Sequence, residues 1–357
     1  MRKGVDRSGG KPQHIDPHMS VLDGFKKVMA EVRSGKFKPV YLLHGEEPFF
    51  IDRVCGEIER GAVEEHARDF DLNVLYARDC DADQVKDTCL RYPMMGDRQL
   101  VVLREAQGWR IDQLEKLEPY VLKPTPSTVL VICYKNKKVD GRKSFSKSVA
   151  KTGTVFTSDK LKDEQLPDWV QRYVTHHKRR IAPAEAHLLS EHLGADLGKV
   201  TMEVEKLCLV TEEGGTITSD IVQRYVGISK DHNIFELQNA IGNRDRVKAL
   251  RIAKHYGQDA KNHPLPVTVA TLNGYLTKLV LMHTLGERPA QELASMAKVP
   301  PFFLNDYRSA ARNYSLDHLL RAQHLLRTCD LRSKGMGGSS VEEGELLQEL
   351  LIRVIDP

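Results

Sequence analysis

The chain has 357 residues, a net charge of +4 and 41% hydrophobic residues, which allows two or three domains, each able to bury a core. The positive balance is too mild to mark a nucleic-acid binder by itself. The apolar runs read as far short of a membrane span, and no charged-then-apolar N-terminus with a small-residue cleavage site marks a secretory signal.

Residues 1–19 are rich in Gly, Lys, His and Pro without periodicity. They read as a disordered tail or a leader joined at Pro17-His18-Met19. Ser20–Ser34 carries Val21, Leu22, Phe25, Val28, Met29 and Val32 at helical spacing. Gly35-Lys36-Phe37-Lys38-Pro39 then leads into an apolar strand, Val40-Tyr41-Leu42-Leu43, and His44-Gly45 makes a sharp turn. Pro48 suits the first turn of a following helix, whose apolar stripe is Ile51, Val54, Cys55 and Ile58.

This is the strand–turn–helix frame of a phosphate-binding loop, G-x-x-x-x-G-K-[ST], in which glycine amides cradle phosphates and a lysine and a hydroxyl complete the site. Counting from Gly45, the second glycine position holds Phe50, the lysine position Ile51 and the hydroxyl position Asp52. Glu46 and Glu47 add negative charge where phosphate would approach, or else compensate the helix dipole. Gly45, Glu46, Glu47, Ile51 and Asp52 thus mark a degenerate nucleotide site that is expected not to bind.

Further strands are expected at Leu72–Tyr76, Gln99–Leu103, Thr128–Tyr134 and Thr154–Thr157, with helices at Ile51–Ala67, Ala82–Arg91, Ile111–Leu122 and Lys143–Ala150. The alternation implies βαβ units and a mostly parallel sheet covered on both faces. The Thr128–Tyr134 strand runs into Lys135 with no acid at its end, where a magnesium-holding Asp would be sought.

Tyr92-Pro93-Met94-Met95-Gly96-Asp97-Arg98 closes a helix just before a strand. Adjacent methionines beside Pro and Gly suit either an adaptable docking surface or core filler under the helix. Lys135, Lys137, Lys138, Arg142, Lys143, Lys147 and Lys151 could track a phosphate backbone or form a solvated helix face.

After Asp159 the pattern is helical only. A small unit is expected from Leu166–His176, Pro183–Leu193, Leu197–Thr211 and Ser219–Val226. A second follows at Ile234–Ile241, Arg244–Tyr256, Val267–Gly286, Ala290–Ala297, Pro301–Ala311, Leu316–Leu331 and Val341–Ile355. The Gly335–Ser340 stretch reads as a flexible helix–helix connection, having neither a strand before it nor a lysine after it. His176-His177 and His187…His192 lack metal-ligand spacing and read as solvated-face residues. The six cysteines (55, 80, 89, 133, 208 and 329) have no metal-knuckle spacing and read as reduced thiols of a cytoplasmic protein. No catalytic constellation is evident.

Several of these segments, in this order, resemble the delta subunit of the bacterial DNA polymerase III clamp loader. They are Gly35 through Pro48, Pro93 through Ala106, Leu193-Gly194-Ala195-Asp196-Leu197-Gly198 leading to Glu205-Lys206-Leu207, Asn233 through Leu237, and Asp330 through Gly335. The resemblance implies an α/β plus all-α fold class: an AAA+-type parallel α/β module over 20–158, a helical lid over 159–228 and a helical collar over 229–357. It implies no cofactor and no ATPase of the chain's own, with polymerase activity residing in other subunits. Leu197 stands where ATPase relatives carry an ATP-sensing arginine, and no Ser-Arg-Cys finger motif occurs. Met94 and Met95, flanked by Tyr92 and Pro93, match the family's hydrophobic wedge, where many relatives use Leu or Phe. The implied partners are the beta sliding clamp, the gamma/tau ATPase subunits, delta prime and primer–template DNA, with Lys137, Lys138 and Lys143 as weaker DNA contacts. An active AAA+ ATPase and a general DNA-binding module are the competing readings.

Overall fold

The computed structural model describes residues 21–228, 232–285, 288–336 and 341–356. The N-terminal tail and the Gly337–Ser340 part of the expected connection lie outside the described residues. The chain divides into two compact units, one of residues 1–166 with 195–201, the other of 167–194 with 202–357.

The first unit is built on five parallel strands: β1 (Val40–Gly45), β2 (Leu72–Tyr76), β3 (Gln99–Arg104), β4 (Thr128–Lys135) and β5 (Thr154–Ser158). Their order across the sheet is β2-β3-β4-β1-β5. Val40–Leu43, Leu100–Leu103 and Leu130–Ile132 are wholly buried, because crossover helices cover both faces and a central parallel strand has no solvent side. The two edge strands, β2 and β5, alternate with exposure. Register sets Gly45 of β1 opposite Lys135 of β4, so the turn after β1 and the end of β4 lie side by side.

Helix α1 (Val21–Arg33) buries Val28, Met29 and Val32. Helix α2 (Pro48–Gly61) buries the expected stripe of Ile51, Val54, Cys55 and Ile58, together with Phe50. It begins earlier than the periodicity suggests and stops at Gly61, before a 3-10 turn (Glu65–Ala67) and a short helix (Arg68–Asp71). The expected Ile111–Leu122 helix is two short pieces, Ile111–Glu115 and Glu118–Leu122.

The second unit is largely helical, and Leu166–His176, Pro183–Leu193, Ser219–Val226 and Ala290–Ala297 fall on their expected limits. The helices-only expectation needs one correction: Arg180–Ile181 and Thr216–Ile217 pair as a two-stranded parallel sheet. Strands of two residues are too short to carry any periodicity. Helix Leu265–Leu285 runs through the core of this unit, burying Leu272, Tyr275, Leu276 and Leu279. Its 21 residues and mean hydropathy of 1.2 also correct the reading of the apolar runs, since by length and composition it could cross a membrane. Helices Arg246–Gln258 and Glu343–Ile355 cross at Gly257 and Gly344, where a Cβ on either would lie 2.8 Å from the other's Cα.

Candidate functional site: a filled phosphate loop and an exposed methionine tip

The turn after β1 is two residues long and leads straight into α2, so the strand–turn–helix frame is present while the positions of Phe50 and Ile51 already lie within the helix. Gly45 has φ 142°, and a Cβ there would lie 2.1 Å from the Ser158 carbonyl oxygen, so only glycine fits. Its N–H donates to the Lys137 carbonyl, the Glu47 N–H donates to the Ser158 carbonyl, and the Ser158 hydroxyl donates to the Glu47 carbonyl at 2.6 Å.

The two glutamates part ways. Glu46 is exposed, whereas Glu47 is buried and caps α2 by accepting the Phe49 N–H at 3.0 Å. A helix N-terminus offers free amides to an anion. Here the chain's own carboxylate occupies that place, and Pro48 at the first helical position has no N–H to give. Burial raises the Glu47 pKa above the ordinary carboxylate range, against the lowering pull of the Phe49 amide.

Phe50, at the second glycine position, lies 5.0 Å from Phe25 and 5.3 Å from Phe49 between ring centroids. Ile51, at the lysine position, is wholly buried. Asp52, at the hydroxyl position, pairs with Lys135 at 2.5 Å. The 350 Å³ cleft alongside has a lining of mixed charge, with Glu47, Asp52 and Asp196 as well as Arg53 and Arg60. An acid passed over in the sequence, Glu105, follows β3 in left-handed conformation at φ 57°, so the missing acid is a property of β4 and not of the whole sheet.

Around the second candidate, helix Ala82–Leu90 opens with a capping box between Asp81 and Gln84 and stops at Arg91. Beyond it Tyr92, Met94 and Met95 are 82%, 74% and 57% exposed, and Pro93 is half-buried. Of the two readings of the methionines, core filler is therefore excluded.

Two polar side chains outside the predicted site hold this tip. Gln99, buried at the head of β3, donates to the Arg91 carbonyl at 2.5 Å and to the Thr88 carbonyl at 3.2 Å. The Thr128 hydroxyl adds a bond to the Cys89 carbonyl at 3.0 Å, so two of the open carbonyls at the helix end, those of Thr88 and Cys89, have side-chain donors. Asp71, buried at the end of the short Arg68–Asp71 helix and just before β2, accepts the N–H groups of Met94, Met95 and Gly96 at 2.5, 3.0 and 2.7 Å. Burial pushes the Asp71 pKa up, but the three amides outweigh it and hold the carboxyl below its ordinary range. A polar Gln opening an apolar strand was a visible signal; Asp71, more than twenty residues from its partners, gave none.

The basic stretch is interleaved with carboxylates. Lys138 pairs with Asp159 at 2.8 Å, Lys143 with Glu115 at 3.2 Å and Arg142 with Asp140 at 3.0 Å, while Lys137 contributes its carbonyl to Gly45. Among the histidines, His187 departs from the solvated-face reading. It lies 4.9 Å from Phe235 and 5.6 Å from Phe303, and burial, aided by Lys278, lowers its pKa to about 4. No cluster of three or more His, Cys, Asp or Glu among the described residues could hold a metal ion. The six cysteines are free.

A parallel α/β module whose first helix is capped by its own carboxylate, followed by a helical unit, has the AAA+-type fold class expected from the sequence. The family model described as DNA polymerase III, delta subunit, matches residues 41–159. The DNA polymerase III subunit delta of Bacillus subtilis (strain 168) is 26% identical over 336 residues, covering 91% of this chain and 95% of that protein. The probable DNA polymerase III subunit delta of Aquifex aeolicus (strain VF5) is 23% identical over 260 residues, covering 70% of this chain and 72% of that protein. The solved structure of the B. subtilis DNA clamp loader delta protein aligns with a TM-score of 0.51 and 24% identity, over 93% of this chain and all of that one. These findings bear out the resemblance to the delta subunit of the DNA polymerase III clamp loader, and with it the α/β plus all-α fold class.

Proposed function

We propose that this chain acts as the non-ATPase delta subunit of a replicative clamp loader, docking on the beta sliding clamp through the tip of Met94 and Met95, with Tyr92 and Pro93 at its flanks. The observation that carries the reading is an exposed apolar tip on a backbone held by buried polar groups. Burying each methionine would contribute roughly 1.5–3 kcal/mol, enough for the pair to dominate the contact.

The mechanism makes and breaks no bond in this chain. The tip binds an opened clamp interface more tightly than a closed one, and only such a difference can shift the clamp toward opening. Nucleotide binding and hydrolysis belong to the gamma/tau subunits, a division of labour supported by the Glu47 cap and the buried Ile51. In this reading residues 20–158 are the clamp-binding module, 159–228 the lid, and 229–357 the collar that joins delta prime and the ATPase subunits in the cytoplasm. Primer–template DNA enters the assembled loader, and Lys137, Lys138 and Lys143 are the candidate contacts on this chain.

The test is binding of the purified protein to its cognate sliding clamp by interferometry without nucleotide, beside a Met94→Ala/Met95→Ala variant of unchanged melting temperature. A stable complex that the double substitution abolishes supports the reading. Binding that survives it removes the tip as the docking site. Steeply salt-dependent binding to DNA with none to the clamp would favour a DNA-binding module.

A further inference from the structure

Residues 92–98 connect a helix to a strand without belonging to either, and among the described residues they make no backbone–backbone hydrogen bond. A loop of that kind ordinarily samples many conformations, and docking it would then cost ordering entropy. Here three successive amides, those of Met94, Met95 and Gly96, converge on the Asp71 carboxylate at 2.5, 3.0 and 2.7 Å. Consecutive N–H groups turned to one side form an anion-binding concavity. The anion is supplied from within, by a side chain only 1% exposed. Gly96 lies close against this carboxylate, since a Cβ there would be 3.4 Å from Oδ2 and 3.3 Å from the Ala67 Cβ.

We propose that Asp71 is the positioning residue of the tip: its carboxylate fixes the backbone of residues 94–96, so that both methionines stand presented before a partner arrives. The proposal rests on reading the tip as the clamp-docking surface, and it assigns no contact between Asp71 and the clamp. The methionine side chains keep their own freedom and adapt to the pocket they enter, while the backbone beneath them stays set.

The experiment uses the full chain as wild type, Asp71→Asn, Met94→Ala/Met95→Ala and the triple combination, with two readouts. The first is amide hydrogen exchange at residues 94–96 in the absence of clamp. The second is clamp affinity by interferometry at fixed ionic strength. Asp71→Asn is expected to lose protection at those three amides while the sheet strands keep theirs, and to weaken clamp binding about ten-fold. In the Met94→Ala/Met95→Ala background the same substitution should cost almost nothing more, because a positioning residue has nothing left to position. Asp71→Ala runs beside it: it withdraws the acceptor without turning an amide donor toward the loop, and carries the comparison should the Asn variant fail to fold.

Unchanged protection in Asp71→Asn overturns the proposal, as does lost protection with undiminished affinity. A penalty equal in both backgrounds also overturns it, since Asp71 would then act elsewhere than through the tip. Wild-type protein that shows protected amides but no clamp binding would instead overturn the docking reading on which the proposal rests.

Discussion

Glu47 and Asp71 both turn a buried carboxylate onto backbone amides, the first at the start of α2 and the second beneath the methionine tip. Glu47 receives one amide, and its burial prevails, so its pKa is raised; Asp71 receives three, and its pKa is lowered despite burial. The number of donors decides whether a buried carboxylate is a strained plug or a settled anchor. Their consequences differ accordingly. One closes a place where an external anion would sit, and the other shapes a surface that faces outward.

The largest expected effect comes from trying to restore the phosphate loop. Ile51→Lys places an ammonium where the side chain is wholly buried beside Val54 and Cys55. It should cost about 4 kcal/mol in denaturant unfolding without conferring ATP binding, because the Glu47 cap remains. A stable variant that binds ATP would sink the view that the loop is filled. Next is Met94→Ala/Met95→Ala, expected to weaken clamp binding by about 3 kcal/mol, or roughly a hundred-fold, with an unchanged melting temperature. A fall in melting temperature alongside would mean that the methionines pack inward.

Asp71→Asn follows, with about 2 kcal/mol lost in unfolding at neutral pH for the charged hydrogen bonds removed. The direction with pH sharpens the contrast between the carboxylates. A lowered folded-state pKa gives stability that is complete above the ordinary value of 3.8 and is lost as pH falls through the folded value. The loss in the variant should therefore shrink only in strong acid. A loss unchanged there would mean that the carboxylate charge contributes nothing.

Much of this was legible in the residues themselves. Long apolar strands, the Gly45 turn, the stripe of α2 and most helix limits follow from local period and breakers, and the missing Lys and hydroxyl are read by counting. The Met94–Met95 pair stood out, but whether it faced outward did not, because exposure depends on what lies over it. Asp71 and Gln99 were missed because their partners are brought near only by the sheet, across about ten to twenty-five residues of chain. Likewise the division of roles between Glu46 and Glu47 rests on which of two adjacent carboxylates the turn directs inward, a matter of backbone geometry and not of composition.

The smallest effect tests the plug. Glu47→Gln keeps an oxygen that can accept the Phe49 N–H and removes the charge that burial disfavours. With the folded-state pKa raised above the ordinary 4.5, the native protein holds more protons than the unfolded chain between those two values. Wild-type stability therefore falls as pH rises through that window, and stays lowered above it. Other groups titrate nearby. His44, lowered to about 4 by burial, loses stability in the opposite direction, as pH falls from 6.5. The informative quantity is thus the difference between Glu47→Gln and wild type at each pH, in which His44 cancels. The difference should be near zero below pH 4.5 and grow with pH to a gain on the order of 1 kcal/mol or less at neutrality. Parallel curves would mean that Glu47 is as comfortable ionised as neutral, and that the two carboxylates differ in place but not in kind.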